Sequence, residues 1–329
     1  MRKRRLGSSD LEVTEIALGS WLTYEGGIER DATEACTRAA FEAGINLFDT
    51  ANAYGDGASE SAWGEILSDY PRDEYILATK LFYEVPGGQG LSAGQIHKQL
   101  DASLERLQTD YVDLYQCHRF DVTVPIEETM EALGEVVAAG KVRWIGFSEW
   151  LPDQIEAGIE AATNAAFVSS QPQYSMLWQA PEEEIFPLCA ANGISQIVWS
   201  PLAEGVLTGK YRAGQAPPPD SRGANRKMNE YIADWLNDPV LEAVERLRPI
   251  ADGAGLTMSQ LALAWILRRS EVAAAIVGAS RTEQVAANIA ASGIELSPDV
   301  LEAIDAALGD VPVVGTTPDS EAQEGVLHR

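Results

Sequence analysis

Four side chains in this sequence are of the types that can move a proton onto a substrate, and they are Asp49, Tyr54, Lys80 and His118. A tyrosine hydroxyl has an ordinary pKa of about 10, so it donates a proton near neutral pH only where a neighbouring cation stabilises its phenolate form. Lys80 can provide that cation, and Asp49 can pair with it. His118 can donate a hydrogen bond to an oxygen on which negative charge develops. The set predicts an acid–base site with a tyrosine as proton donor.

Each of these residues lies at or just past the carboxyl end of a predicted strand. Asp49 directly follows an apolar run, and Tyr54 comes five positions later in a loop of small and polar residues. Lys80 and His118 end two further strand-like runs. The carboxyl ends of the strands form the face on which a parallel barrel builds its active site. Any one of the four alone could be a solvated strand end or a packed side chain, so the prediction rests on their common placement.

The elements that must hold these side chains alternate between strand and helix patterns eight times from Glu15 onward. The predicted strands are short apolar runs: Ile16–Leu18, Ile45–Phe48, Ile76–Thr79, Val112–Gln116, Val142–Gly146, Val168–Gln171, Gln196–Trp199 and Ala274–Val277. The predicted helices carry apolar residues at three- and four-residue spacing: Ala32–Ala43, Ser59–Ser68, Ser92–Leu107, Ile126–Ala139, Pro152–Thr163, Glu182–Ala191, Met258–Leu267 and Thr282–Ala291. Such alternation is typical of βαβ units and predicts a parallel sheet.

A parallel sheet is either open or closed. An open nucleotide-binding sheet should carry Gly-x-Gly-x-x-Gly after its first strand, and Gly19, Ser20 and Trp21 at that point do not fit this motif. Eight repeats with polar residues at the strand ends favour the closed form. Residues 2–14 predict a β-hairpin over the lower end of the barrel. The predicted fold is α/β, a single (β/α)8 TIM barrel domain over residues 1–329 with an N-terminal β-hairpin and extra helices.

Two segments depart from the repeat. Residues 200–238 form a long stretch with several prolines and glycines, predicted to be a loop that contacts cofactor or substrate, and an extra helix is predicted at 239–251. Residues 310–329 are polar and lack periodicity, which predicts a flexible tail or a cover for the site.

The order of the four side chains, Asp-x4-Tyr after the second strand, Lys after the third and His after the fourth, resembles the catalytic tetrad of the aldo-keto reductases. The resemblance extends over roughly residues 2–310. It implies the reversible reduction of aldehydes or ketones to alcohols with NADP(H), or NAD(H), as cofactor. By this resemblance, hydride would pass to the carbonyl carbon while Tyr54 donates a proton to the oxygen. Lys80 would stabilise the tyrosinate, Asp49 would orient Lys80, and His118 would donate a hydrogen bond to the carbonyl oxygen.

The same resemblance implies a set of cofactor contacts. It assigns Ser148 and Gln171 to the carboxamide, Trp199 to stacking on the nicotinamide, Ser200, Leu202, Gly205 and Lys210 to the pyrophosphate path, Arg222 to a loop beside the cofactor, and Ser280, Gln284 and Asn288 to the adenosine phosphate. Arg281 favours NADP over NAD. The sequence departs from the family at Glu149, where many relatives have asparagine, and at Ala287, where an acidic residue is usual.

Within the family, the segments around Gln171 and Trp199 are most similar to the potassium-channel β-subunit branch. This similarity supplies a rival hypothesis, a nucleotide-sensing regulatory subunit with little turnover, whereas His118 argues for an enzyme. A burst of NADPH oxidation without a steady state would favour the rival. The expected substrate is a small carbonyl compound. A set of aromatic residues could line its pocket, or each could instead pack in the core: Trp21, Tyr24, Phe82, Tyr83, Trp150 and Trp178. Subunit number is open.

The composition limits the binding partners and the cellular compartment that we expect for this protein. Fifty acidic against 24 basic residues give a net charge of −26, which repels nucleic acid and anionic membranes. Three widely spaced cysteines without a Cys-x-x-Cys pair predict structural thiols in a reducing compartment. Three histidines make a multi-histidine metal site hard to assemble, so no metal is expected. With no apolar run of membrane-spanning length and no leader pattern, we expect a cytoplasmic protein.

The charge also predicts a response to salt. Only six of the basic residues are lysine, and an acidic, lysine-poor surface stays solvated in concentrated salt, where screening removes most self-repulsion. We therefore hypothesise a halophilic protein and expect a higher melting temperature in molar KCl than in dilute buffer. Thermal unfolding measured at both salt concentrations tests this, and no gain in salt would refute it.

Overall fold

The computed structural model describes residues 1–21, 30–225 and 228–314, without the side chains of residues 230 and 231. One aromatic pocket candidate, Tyr24, and most of the predicted tail at 310–329 lie outside these ranges. All four residues of the acid–base set and every predicted cofactor contact lie inside them.

The described chain alternates strands and helices as predicted. The strands are β1 (Lys3–Arg5), β2 (Glu12–Thr14), β3 (Ile16–Gly19), β4 (Leu47–Asp49), β5 (Ile76–Leu81), β6 (Val112–Cys117), β7 (Val142–Phe147), β8 (Phe167–Ser170), β9 (Ser195–Val198) and β10 (Val272–Val277). The helices are α1 (Arg30–Glu42), α2 (Ala58–Leu67), α3 (Ala93–Leu107), α4 (Ile126–Ala138), α5 (Pro152–Glu160), α6 (Ile185–Ala191), α7 (Asp238–Gly253), α8 (Met258–Leu267), α9 (Thr282–Ile289) and α10 (Pro298–Leu308).

Strands β3 to β10 close into one parallel barrel in chain order, with β10 paired to β3. The (β/α)8 barrel prediction is therefore confirmed. Registers in the part that carries the site align Asp49 with Ala78 and Lys80 with Gln116. Because successive strand residues point to opposite faces, Leu47 packs inside the barrel while Phe48 packs against the surrounding helices.

The N-terminal hairpin is also confirmed, since β1 and β2 pair antiparallel. Leu6, Leu11 and Val13 are buried with the apolar interior of the barrel. The hairpin loop is tied to the amino end of β9, where the backbone N–H of Gly7 donates to the Ser195 hydroxyl at 2.8 Å. The hairpin therefore closes the end of the barrel opposite the strands' carboxyl ends.

Several elements differ from the sequence prediction in their presence, bounds or conformation. Helix α10 was not predicted, although its Ser297 side chain accepts a hydrogen bond from the backbone N–H of Val300 and caps its first turn. Helix α6 begins three residues later than predicted, after a separate short 3₁₀ turn at Ala180–Glu182. The segment 200–238 is not a simple loop, because it contains 3₁₀ turns at Ala203–Thr208, Arg222–Ala224 and Asn229–Trp235.

Helices α2 and α3, which follow the strands bearing Asp49 and Lys80, pack with almost no space at Gly64. A Cβ on Gly64 would overlap the Arg106 carbonyl oxygen and lie 2.9 Å from the carbonyl carbon of Leu107. We expect Gly64→Ala to lower the free energy of unfolding by about 2 kcal/mol because the two helices must move apart. Urea unfolding measures the change.

The matched control is Gly94→Ala, also in a helix of this pair. A Cβ there meets nothing within 4 Å. Because alanine restricts the unfolded chain more than glycine does, this variant should be neutral or more stable by about 0.5 kcal/mol. Equal effects of the two substitutions would contradict the close helix contact.

Candidate active site

A buried ion pair lies at the centre of the site. The Lys80 side chain is fully buried, and its Nζ donates to Asp49 Oδ1 at 2.5 Å and to the Thr50 carbonyl oxygen at 2.8 Å. Burial lowers the pKa of Lys80, while the Asp49 carboxylate opposes that shift. Strand register brings the pair together. Asp49 ends β4 and is aligned with Ala78 on β5, and Lys80 follows Ala78 by two residues.

The same ammonium reaches the predicted proton donor. Lys80 Nζ lies 3.3 Å from the half-buried Tyr54 hydroxyl oxygen. The His118 imidazole lies beside the tyrosine, with ring centroids 5.7 Å apart and planes at 75°. The structure therefore assembles all four predicted side chains at the carboxyl end of the barrel.

His118 is held neutral by its surroundings. It is 7% exposed, and its Nδ1 is buried without a hydrogen-bond partner among the described residues. Burial lowers the pKa of His118 well below 6.5, and the charges of Lys80 and Arg119 lower it further. A neutral imidazole at pH 7 carries one N–H donor, which suits hydrogen bonding to a developing oxyanion.

Asp49 is oriented by two amides on neighbouring strands. Its Oδ2 accepts from Gln171 Nε2 at 3.0 Å and from Gln116 Nε2 at 3.4 Å. Sequence reasoning missed Gln116, although it lies two residues before His118 on β6 and so faces the same way. Gln171, predicted to bind a carboxamide, here bonds Asp49 through its side chain. Its backbone carbonyl oxygen accepts a hydrogen bond from the Ser148 hydroxyl at 2.7 Å.

A second residue missed by sequence reasoning is Arg119. Its Nη1 donates to the His118 carbonyl oxygen at 2.6 Å and lies 3.5 Å from the Ser148 hydroxyl. Its guanidinium carbon lies 5.5 Å from the centroid of the Tyr83 ring. The sequence did contain a signal for Arg119, because it is a cation directly after His118 at the end of β6.

The end of β9 carries the half-buried Trp199. Its indole lies edge-on to Trp21, with ring centroids 6.5 Å apart. The indole N–H donates to Glu149 Oε1 at 2.8 Å, and the same oxygen accepts from the backbone N–H of Gln173 at 2.5 Å. Glu149, noted in the sequence only as a departure from the family, thus lies against a predicted cofactor contact.

The predicted pyrophosphate segment follows Trp199 directly. Ser200 and Glu204 both have left-handed backbone, and the Ser200 hydroxyl donates to Glu204 Oε1 at 2.5 Å. Gly205 has a φ of +97°, and a Cβ there would lie 3.0 Å from Lys210 Nζ. A larger residue would therefore be strained and would crowd the Lys210 ammonium.

The two remaining cofactor contacts predicted in this segment, Leu202 and Arg222, are both half-buried. Leu202 lies beside the turn that contains Ser200 and Glu204. Burial lowers the pKa of Arg222, and the nearby Glu204 carboxylate opposes that shift. The Arg222 guanidinium carbon lies 5.8 Å from the Trp21 ring centroid, so this loop reaches the wall of the site.

The predicted adenosine-phosphate residues lie at the start of α9. Gln284 Oε1 accepts from the Ser280 backbone N–H at 2.8 Å and from its hydroxyl at 3.1 Å. Asn288 is 5% exposed, one turn further along the helix. Arg281 is exposed at the N-cap, where an anion would meet both its charge and the helix dipole.

Two of the aromatic pocket candidates, Tyr83 and Trp150, lie in different places, one in the site and one in the core. Tyr83 contacts His118 with ring centroids 4.9 Å apart, which places it in the site. Trp150 is 1% exposed and packs on Phe147 and Phe167 in the core, so it takes the packing role that the sequence also allowed.

Among the described residues, no group of three or more His, Cys, Asp and Glu side chains could hold a metal ion. Within the same ranges, no single helix is both long and apolar enough to cross a membrane, and only the pair α7 and α8, bent by 89°, reaches that length and hydropathy together.

Comparisons with known proteins cover nearly the whole chain. A model of the aldo/keto reductase family matches residues 15–308. The probable voltage-gated potassium channel subunit beta of Oryza sativa subsp. japonica is 35% identical over 322 residues, covering 95% of this chain and 98% of that protein. The putative voltage-gated potassium channel subunit beta of Schizosaccharomyces pombe is 38% identical over 327 residues, covering 94% of each. The L-glyceraldehyde 3-phosphate reductase of Escherichia coli (strain K12) is 33% identical over 325 residues, covering 94% and 93%.

The low pKa of His118 predicts a pH dependence of stability. In the unfolded chain its pKa is about 6.5, so below that pH the unfolded state binds a proton that the folded state rejects. The free energy of unfolding should therefore fall as pH drops through 6.5. We expect the wild type to lose about 1 kcal/mol more than His118→Gln between pH 7.5 and 5.5, measured by urea unfolding. Equal losses would contradict a buried neutral imidazole.

Proposed function

The chain belongs to the aldo/keto reductase family, and we propose on that premise that it is an enzyme that reduces aldehydes or ketones to alcohols with NADPH. The observation that carries the proposal is the contact of one buried ammonium, Lys80, with both Asp49 and the Tyr54 hydroxyl, beside a neutral His118. The expected similarity to the potassium-channel β-subunit branch is confirmed by the relatives at 35–38% identity.

In the proposed mechanism, Tyr54 donates its hydroxyl proton to the substrate oxygen. Lys80, at 3.3 Å, stabilises the phenolate that remains. Asp49 holds the ammonium against the tyrosine and offsets part of the cost of burying it. His118 donates its one N–H to the carbonyl oxygen, where negative charge develops. Water returns the proton to Tyr54 after the alcohol leaves.

The described residues fit a nicotinamide dinucleotide, which supplies the hydride when bound. Trp199 is a half-buried flat ring at the barrel rim, suited to stacking on an aromatic ring. Gly205 has no side chain to keep a phosphate from the backbone, and the exposed Lys210 ammonium beside it would supply the countercharge. Ser280 and Arg281 flank the N-terminus of α9, as an anion site requires. Gln284 and Asn288 lie on that helix for the adenosine end.

We propose NADP(H) in preference to NAD(H). The support is the exposed Arg281, which can pair with a 2′-phosphate at the N-terminus of α9. The preference is modest because no lysine accompanies Arg281. Ala287 replaces the acidic residue expected near the adenine, which weakens a contact that both cofactors would share.

The rival function is a nucleotide-sensing regulatory subunit, favoured by the names of the channel-subunit relatives. The reductase relative at 33% identity and the assembled acid–base set favour turnover. The three cysteines are buried thiols that form no disulfide, which supports our proposal of a cytoplasmic protein. The acidic, lysine-poor composition supports the further proposal of a high-salt habitat.

Tyr54→Phe tests the proposed mechanism. It removes the proton donor and leaves the ring, so NADPH should still bind while steady-state reduction falls by a factor of about 100 or more. An aldehyde and ketone panel with NADPH and with NADH, at low and high salt, measures turnover, and calorimetry measures cofactor binding.

The matched control is Tyr70→Phe, which removes a hydroxyl from a half-buried ring that stacks on Phe41, with ring centroids 3.8 Å apart. This variant should retain most of the activity, because Tyr70 contacts none of the four acid–base side chains. Near-normal turnover of Tyr54→Phe would contradict the proposal. A single burst of NADPH oxidation by the wild type, without a steady state, would favour the regulatory subunit instead.

A further inference from the structure

Glu149 joins three neighbouring strand ends at the rim of the site. It follows β7 by two residues, and its Oε1 bonds the backbone of Gln173, beyond β8, and the indole of Trp199, at the end of β9. The backbone of Trp199 is fixed by the same neighbours, since its N–H donates to the Pro172 carbonyl oxygen at 3.1 Å. Backbone and side chain of the tryptophan are thus held by separate bonds.

The backbone conformation of Glu149 indicates a position under constraint. Its φ is +57°, in the left-handed region that non-glycine residues rarely adopt. Such residues persist where the surrounding structure over-determines them, and they cluster at functional sites. Here the left-handed turn directs the carboxylate across β8 toward Trp199, and a glutamate reaches the indole N–H at 2.8 Å.

The tryptophan needs such a bond if its plane is to be fixed. The torsion that sets the indole plane joins a tetrahedral carbon to a planar ring, so its energy wells are broad. Trp21 meets the indole at 77°, as an edge contact. A charge-assisted bond to the only donor on the ring selects one orientation.

We infer that Glu149 is a positioning residue that fixes the plane of the Trp199 indole and thereby the position at which the nicotinamide ring stacks. The inference rests on the proposed function, since it requires a nicotinamide cofactor at this rim. Glu149 acts through Trp199 and need not touch the cofactor.

The structure supplies a matched set of variants. One oxygen of Glu149 accepts both bonds, so the single carbonyl oxygen of Glu149→Gln can keep them without the charge. Glu149→Ala removes the acceptor and has the same left-handed backbone cost as the native residue. Glu149→Gly also removes the acceptor and relieves that cost, so it reports on the side chain even if the alanine variant folds poorly.

The first measurement needs no cofactor. Of the eight tryptophans, Trp199 is identified as the indole N–H resonance that Trp199→Phe removes from a ¹⁵N-tryptophan spectrum. We expect this N–H to exchange slowly with solvent in the wild type and in Glu149→Gln, and at least about tenfold faster in Glu149→Ala and Glu149→Gly. Unchanged exchange in the last two variants would overturn the inference.

The second measurement is the Kd for NADPH by calorimetry. Glu149→Ala and Glu149→Gly should raise it about fivefold or more, and Glu149→Gln should stay within about twofold of the wild type. In a Trp199→Phe background, the alanine substitution should have no further effect, because the ring no longer carries the donor. Equal effects in both backgrounds, or the same loss in Glu149→Gln as in Glu149→Ala, would overturn the inference.

Failure of the proposed function is recognised separately. A wild type that binds neither NADPH nor NADH refutes the reductase proposal and the positioning role together. A wild type that binds NADPH while all Glu149 variants bind it equally well refutes the positioning role alone.

Discussion

The site depends on one fully buried ammonium. Removing a lysine side chain from water costs several kcal/mol, and the cost is offset only by an ion pair and further hydrogen bonds of good geometry. Lys80 meets this requirement with Asp49 and the Thr50 carbonyl oxygen, and Asp49 is held in turn by Gln171 and Gln116. Loss of either charge would leave the other buried and unpaired. The chemistry proposed for Tyr54 therefore rests on an arrangement that the fold itself must stabilise.

The barrel makes that arrangement attainable. Residues on β4, β5, β6 and β8 reach one point because parallel strands in fixed register end on one face. A shift of one residue would turn Lys80 toward the helices and place Thr79 inside. Thr79 already has a partner on the outer side, where its hydroxyl donates to Glu60 at 2.5 Å. The outer network thus supports the register on which the inner one depends.

Sequence reasoning predicted the barrel, the hairpin and the placement of Asp49, Tyr54, Lys80 and His118 on one face, because each depends on local periodicity and on the residues that follow a strand. It missed Gln116, whose amide does not titrate and so has no chemical signature. Glu149 was visible only as an unusual residue, since its role depends on a left-handed turn that no pattern specifies. The sequence left both a pocket role and a packing role open for Trp150, because an aromatic residue near a strand end packs inward or outward with the same sequence signal.

The hairpin of β1 and β2 covers one end of the barrel, and the candidate site lies at the other end. Leu6, Leu11 and Val13 fill the amino end of the barrel, and Gly7 ties the loop to β9. Changes there alter how tightly the amino end of the barrel is packed and leave Asp49, Tyr54 and Lys80 at the opposite end in place. The stability of the barrel and the shape of the candidate site can therefore be altered by separate substitutions.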